Sequence, residues 1–188
     1  VSGADRCPMA EALAATGCSL ILGDLIFTLG IPVPLRSLNT LDRVARLIGP
    51  MVARLPFSML YPTGQKQEKR AANSKYAKYY HQADIIAGDF HYVVKHMPLD
   101  MKGKSVITNT VTEDDIEDFR RRGISTLITT TPDMEGRSFG TNVLEALLVT
   151  LLGKNPQDIT DDEINGILDR LGFKPRILVL NPPSLIPE

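Results

Sequence analysis

The amino-acid sequence predicts a three-layer α/β domain with a mostly parallel sheet, and three observations carry that prediction. Short apolar runs recur at Ser19–Asp24, Asp84–Gly88, Ser105–Asn109, Thr126–Thr130 and Arg176–Leu180, the pattern of strands buried on both faces. Helical segments separate several of these runs at the spacing of β-α-β units. The 188 residues, 43% of them hydrophobic, are enough to bury one sizeable core, so one domain over residues 1–188 is expected.

Taken in order, Val1-Ser2-Gly3 reads as the last residue of a strand running into a turn. The sheet is therefore expected to lack its first strand, and the chain to be a processed or truncated product. Pro8 to Ala15 is rich in helix formers, with proline at a position where its missing N–H costs nothing, and Gly17 ends the segment. Ser19–Asp24 follows as a short buried parallel strand closed by an acid. Between Ile31 and Tyr80 the character changes. Prolines at 32, 34, 50, 56 and 62 punctuate a stretch in which Leu41, Val44, Ala45 and Ile48 recur at helical spacing, predicting a helical excursion from the sheet. Within it, Thr63–Arg70 reads as a polar loop or helix start. Tyr76, Tyr79 and Tyr80 share one helical stripe, a packed face in preference to a ligand platform.

The second half is more regular. Ser105–Asn109 and Thr126–Thr130 flank Thr112–Gly123, whose Thr-Glu-Asp-Asp start is a helix-capping sequence. Asp133–Gly140 is a charged, glycine-containing loop, and Thr141–Leu152 an apolar helix stopped by Gly153. Thr160-Asp161-Asp162-Glu163 opens another helix that runs to Leu171, with Gly172 beyond it. The last strand, Arg176–Leu180, is cut off by Pro182 and Pro183. It is expected either to fill the vacant central position of the sheet or to leave the sheet with an exposed edge.

The balance of 21 basic against 22 acidic residues argues against nucleic acid and anionic membranes as partners. Two cysteines, Cys7 and Cys18, make neither a disulfide framework nor a zinc site of ordinary ligand count, which fits a reducing, cytoplasmic setting. The longest apolar stretches, such as Val143–Gly153, are shorter than a membrane span. His81, His91 and His96 lack metal-motif spacing, so no metal is expected. Association with further copies of the chain stays open.

One spacing points to a cofactor. Gly3 lies in a turn after a strand, and Asp24 closes the next apolar run about 21 residues later, as in a dinucleotide-binding unit. Gly3, Ala4, Asp5 and Arg6 would face a pyrophosphate with backbone N–H groups at a helix start, while Asp24 would accept from the adenosine ribose hydroxyls. A carboxylate there repels a 2′-phosphate, which favours NAD over NADP. The fold is accordingly of the Rossmann type. Only one glycine stands where the full motif has three, so a plain turn and a plain loop acid remain open for this pair. Small polar residues end the later strands, at Gly88-Asp89, Asn109-Thr110 and Thr129-Thr130-Thr131. Asn109, Thr110 and Thr130 are candidates for the nicotinamide end, with ordinary turn chemistry as the alternative. Glu135–Asn142 could bind an anion or carboxamide, or could simply be a capped helix start with Arg137 in an ion pair. Cys7 lies beside a helix start, where a thiol pKa falls, but no histidine partner is placed with it.

The blocks Gly23–Phe27, Leu55–Ser58, Tyr61–Gly64, Asp84–Phe90 and Gly136–Asn142 resemble those of shikimate/quinate 5-dehydrogenase-like proteins of the NAD(P)-binding Rossmann superfamily, over most of the chain. The resemblance implies an oxidoreductase that moves a hydride between a nicotinamide and a ring hydroxyl of a cyclic hydroxy acid. In shikimate dehydrogenases the catalytic Lys/Asp pair comes from an N-terminal substrate domain that this chain does not match, so no catalytic base is assigned. Two other classes stay open. One is an S-adenosylmethionine-dependent methyltransferase, with Arg176–Leu180 as an antiparallel strand; the other is a non-catalytic binding module.

Overall fold

A computed structural model describes residues 7–54, 76–131, 133–134, 137–138 and 141–182. Its centre is a four-stranded sheet in the order β1 (Ile85–Ala87), β2 (Ser105–Thr108), β3 (Thr126–Thr129), β6 (Arg176–Val179). β1, β2 and β3 are parallel, and β6 runs antiparallel to β3. The protein is thus a mixed α/β structure with a mostly parallel sheet, and the strands predicted at Asp84–Gly88, Ser105–Asn109 and Thr126–Thr130 form there.

The parallel pairs need crossovers, and two short helices supply them. α4 (Phe90–Lys95) links β1 to β2, and α5 (Glu113–Arg121) links β2 to β3. The sequence pattern foresaw α5, with its Thr112–Asp115 capping box closed in both directions, but not the six-residue α4. Side chains alternate across the strands, so Ile86, Val106 and Leu127 share one sheet face. They pack with Phe90, Val93 and Val94 of α4 and Ile116 and Phe119 of α5 in one continuous core.

The hairpin-like return after α5 is tightened at Gly123, whose φ of +79° and close backbone neighbour, Lys102 Cα 3.1 Å from where a Cβ would stand, exclude a side chain. Arg122, buried at the end of α5, donates to the carbonyls of Met97 and Pro98 at 3.0 and 2.8 Å and to Asp118 at 2.9 Å. It ties the loop before β2 to the helix after it.

The N-terminal part departs from expectation at one element. α1 (Cys7–Ala15) forms as predicted and ends at Gly17, φ +77°. Ser19–Asp24, however, is no strand of the sheet. Leu22 makes only a lone antiparallel bridge with Leu35, through N–H···O bonds of 2.7 and 3.1 Å, and Asp24–Thr28 coil into a π-helical turn. The cause is a local alternative for the apolar side chains: Leu22 and Leu25 bury against Ala10, Leu35 and Leu41. Gly23 is required there because the Phe27 ring folds back to 2.4 Å from the position a Cβ would take.

The helical excursion contains α2 (Leu38–Val52), capped by Ser37, and α3 (Ala77–Gln82); residues 55–75, with the predicted Thr63–Arg70 loop, lie outside the described residues. Tyr76, Tyr79 and Tyr80 are all buried, and their hydroxyls donate to the carbonyls of Gly30, Pro32 and Val93. They form a packed stripe, as expected.

After β3, the predicted loop holds a two-residue hairpin, β4 (Asp133–Met134) with β5 (Arg137–Ser138). α6 (Thr141–Leu152) and α7 (Asp161–Arg170) follow, with a 3-10 turn at Pro156–Asp158 between them. β6 then pairs with β3 alone among the described strands, at the rim of the sheet. The expectation that this strand fills a central vacancy is overturned, because β6 pairs with the edge of β3 that β2 leaves free and so ends the described sheet. Among the described strands the outer edge of β6 is unpaired, as the alternative expectation had it. Among the described residues no helix is long and apolar enough to cross a membrane.

Candidate functional site

The carboxyl ends of three parallel strands meet in a buried polar network. Asn109, 5% exposed just beyond β2, is its hub. The Asn109 Nδ2 donates to Asp89 Oδ2 at 3.0 Å, and its Oδ1 accepts from Phe90 N at 3.2 Å and from the Thr108 hydroxyl at 3.4 Å. Asp89, itself buried, also caps α4 by accepting from His91 N at 3.0 Å. On the β3 side the Thr131 hydroxyl donates to the Asn109 carbonyl at 3.2 Å, and the Thr129 hydroxyl to the Thr131 carbonyl at 2.8 Å. The network locks three strand ends in fixed relation, which is what a ligand site beyond a parallel sheet requires.

Beside β1 lies a cavity of about 500 Å³, within the range of small-molecule sites. β1 pairs only with β2 among the described strands, so its second edge is open, and Ile85 and Gly88 line the cavity. Leu20, Phe27 and Tyr79 form apolar and aromatic walls, and Arg36 adds a cation. Tyr80 also reaches the wall, where burial pushes its phenol pKa up and keeps it a neutral donor to Val93 O. Gly88 joins the two features: it lines the cavity, its N–H donates to Ile107 O at 3.1 Å, and it directly precedes Asp89 of the network.

The residues singled out from the sequence divide accordingly. Gly3, Ala4, Asp5 and Arg6 lie outside the described residues, as does most of Glu135–Gly140. Asp24 opens the π-helical turn instead of closing a sheet strand, and that same turn contributes Phe27 to the cavity wall. Asn109 has its amide engaged in holding Asp89 and the start of α4, while Thr110 beside it is half-buried and Thr130 is exposed. Of the histidines, His96 stacks on Phe27 with ring centroids 5.7 Å apart. Among the described residues no group of three or more His, Cys, Asp or Glu is arranged to hold a metal.

Arg36 was not singled out, and Phe27 entered only as the end of the Gly23–Phe27 block. Arg36 reaches the wall through the Leu22–Leu35 bridge and Phe27 through the fold of its ring over Gly23, neither of which has a sequence motif. Compared with known proteins, the chain matches, over residues 1–180, a family model described as "Domain of unknown function (DUF8754)". No curated protein and no solved structure matches it.

Proposed function

The chain belongs to the DUF8754 domain family, whose function is unknown, and we propose from its cavity and its sequence resemblance that it is the NAD-binding, Rossmann-type domain of a cytoplasmic oxidoreductase. Its reaction is hydride transfer between a nicotinamide and a ring hydroxyl of a cyclic hydroxy acid such as quinate or shikimate. The observation that carries the reading is the cavity on the open side of β1, which ends at Gly88 next to the Asp89–Asn109–Thr131 network. In open α/β sheets ligands bind in the crevice outside the carboxyl ends of the strands, and this cavity runs along β1 as far as Gly88 at that end.

The lining suits such a cofactor. Phe27 and Leu20 give the cavity an apolar wall, Gly88 lets a ring approach the backbone, and Arg36 is the cation for a phosphate. NAD supplies the hydride chemistry; the chain's own residues bind, orient and exclude water. Asp24 opens the turn that carries Phe27 and does not line the cavity, so its carboxylate would have to reach the ribose hydroxyls from the cavity's margin. The substrate class comes from the dehydrogenase resemblance.

Titration of NADH fluorescence tests the proposal. Saturable binding is expected, weakened by about 1–3 kcal/mol in Asp24→Ala, the cost of losing a charged hydrogen-bond partner. A folded protein that leaves NADH fluorescence unchanged overturns it. One observation favours a second reading, an S-adenosylmethionine-dependent methyltransferase: the last strand runs antiparallel beside an otherwise parallel sheet. Saturation by S-adenosylmethionine with no response to NADH selects that reading.

A further inference from the structure

The sheet has two faces and the apolar contacts are uneven between them. Strand register places Ala87, Ile107, Ile128 and Ile177 in one row on the face opposite the core, with Val179 in the next row. None of the apolar clusters among the described residues takes in Ile107, Ile128, Ile177 or Val179. Toward β1 this face is covered, with Ala87 3% exposed and Ile107 and Ile128 part-buried, whereas at the β6 end Ile177 is 65% exposed and Val179 64%.

Helix α6 presents the matching half. Its sequence, TNVLEALLVTLL, is apolar on nearly every side, a composition that belongs to a helix covered all round. Yet Leu148 is the one side chain of α6 that is buried among its described residues, while Val143, Leu147 and Leu151, spaced i, i+4, i+8 on one stripe, are about half exposed. Among the described residues the β6 end of that sheet face and one stripe of α6 are thus exposed apolar surfaces, the two kinds that α/β layers bring together.

We propose that two copies of this chain associate, the α6 stripe of each packing over the exposed β6 end of the other's sheet. A second copy is the occupant that satisfies both surfaces at once, since a twofold axis pairs each helix with the partner's sheet. The near-neutral charge, 21 basic against 22 acidic residues, leaves no large net repulsion to oppose it. The area is also adequate. Five side chains half to two thirds exposed offer roughly 500 Å² of apolar surface per copy, so the pair buries on the order of 1,000 Å² from these alone, where specific interfaces begin. Half-buried Ile107 and Ile128 and the flanking polar groups add to it.

Sedimentation equilibrium of the full chain tests this. At about 10 μM the wild type is expected at twice the chain mass of 20.7 kDa. Leu147→Glu and Ile177→Lys should each weaken association at least about tenfold, with far-UV circular dichroism unchanged. Mixing the two variants should restore dimers, because the new acid on one helix then meets the new base on the other sheet. Leu147→Gln and Val179→Thr form a gentler pair, expected to weaken the dimer in the same direction should the charged variants fold poorly. A wild type that stays monomeric at about 100 μM overturns the proposal, whether its surfaces take up detergent, another protein or nothing. So does a dimer that none of the four substitutions weakens.

Discussion

Helices α5 and α7 begin with the same device and end in different circumstances. Thr112 caps α5 and exchanges hydrogen bonds with Asp115, and Thr160 caps α7 and exchanges them with Glu163. α5 carries Phe119, wholly buried, into a core shared by α4, β1, β2 and β3. α7 buries Ile167 alone and leaves Leu171 54% exposed. Capping thus sets where a helix starts, whereas burial is decided by what the rest of the chain brings to its face.

The largest expected effect tests that difference directly. Phe119→Ala removes a fully buried ring and should cost about 3–5 kcal/mol in urea unfolding, whereas Leu171→Ala should stay within about 0.5 kcal/mol. Equal losses would show that the two regions share one core after all, and the contrast would fall.

Arg122 sharpens the picture of the tighter region. Its guanidinium satisfies two carbonyls, Met97 and Pro98, and pairs with Asp118, so Arg122→Leu strands three acceptors near the core. A loss of about 2–3 kcal/mol is expected, seen as a lower urea midpoint with an unchanged slope. Arg122→Lys should recover only part of it, since an ammonium lacks the planar fork that reaches all three acceptors. Full recovery by lysine would mean that charge alone, not geometry, holds the loop.

Where the sequence could be read, the reason was local. Thr112 and Thr160 announce their helices within four residues, and Gly153 and Gly172, at φ +61° and +65°, stop α6 and α7 where a left-handed residue is needed. The Asp84, Ser105 and Thr126 runs are strands because nothing local competes for their side chains. Ser19–Asp24 failed as a strand because Leu22 and Leu25 found closer partners in Ala10, Leu35 and Leu41, and a short apolar run has no period to distinguish the outcomes. α4 escaped notice because its cap, Asp89, lies at a strand end where a ligand-binding residue is equally at home. The cavity was the least legible feature. Its walls come from residues as distant as Leu20, Tyr79 and Gly88, and only folding brings them together.

The smallest effect separates the two capping boxes by pH. The hydrogen bond from Lys154, reinforced by that from Thr160 N–H, holds the Glu163 carboxyl below its ordinary value. A carboxylate whose folded pKa is depressed contributes stability that is fully present above the unfolded value near about 4.3, and this is lost as pH falls through the lowered folded pKa. Protection of the α7 amides, taken relative to the intrinsic exchange rate at each pH, should therefore fall on acidification from about pH 5 to about pH 2. Glu163→Gln keeps a side chain that can accept from the Thr160 backbone N–H but removes the titrating charge, so it should weaken the helix slightly at neutral pH and flatten its acid response. If the glutamine variant follows the wild-type profile, the Lys154–Glu163 contact contributes nothing. α7 would then be held by its backbone cap alone, and its looseness relative to α5 would be a matter of missing apolar cover.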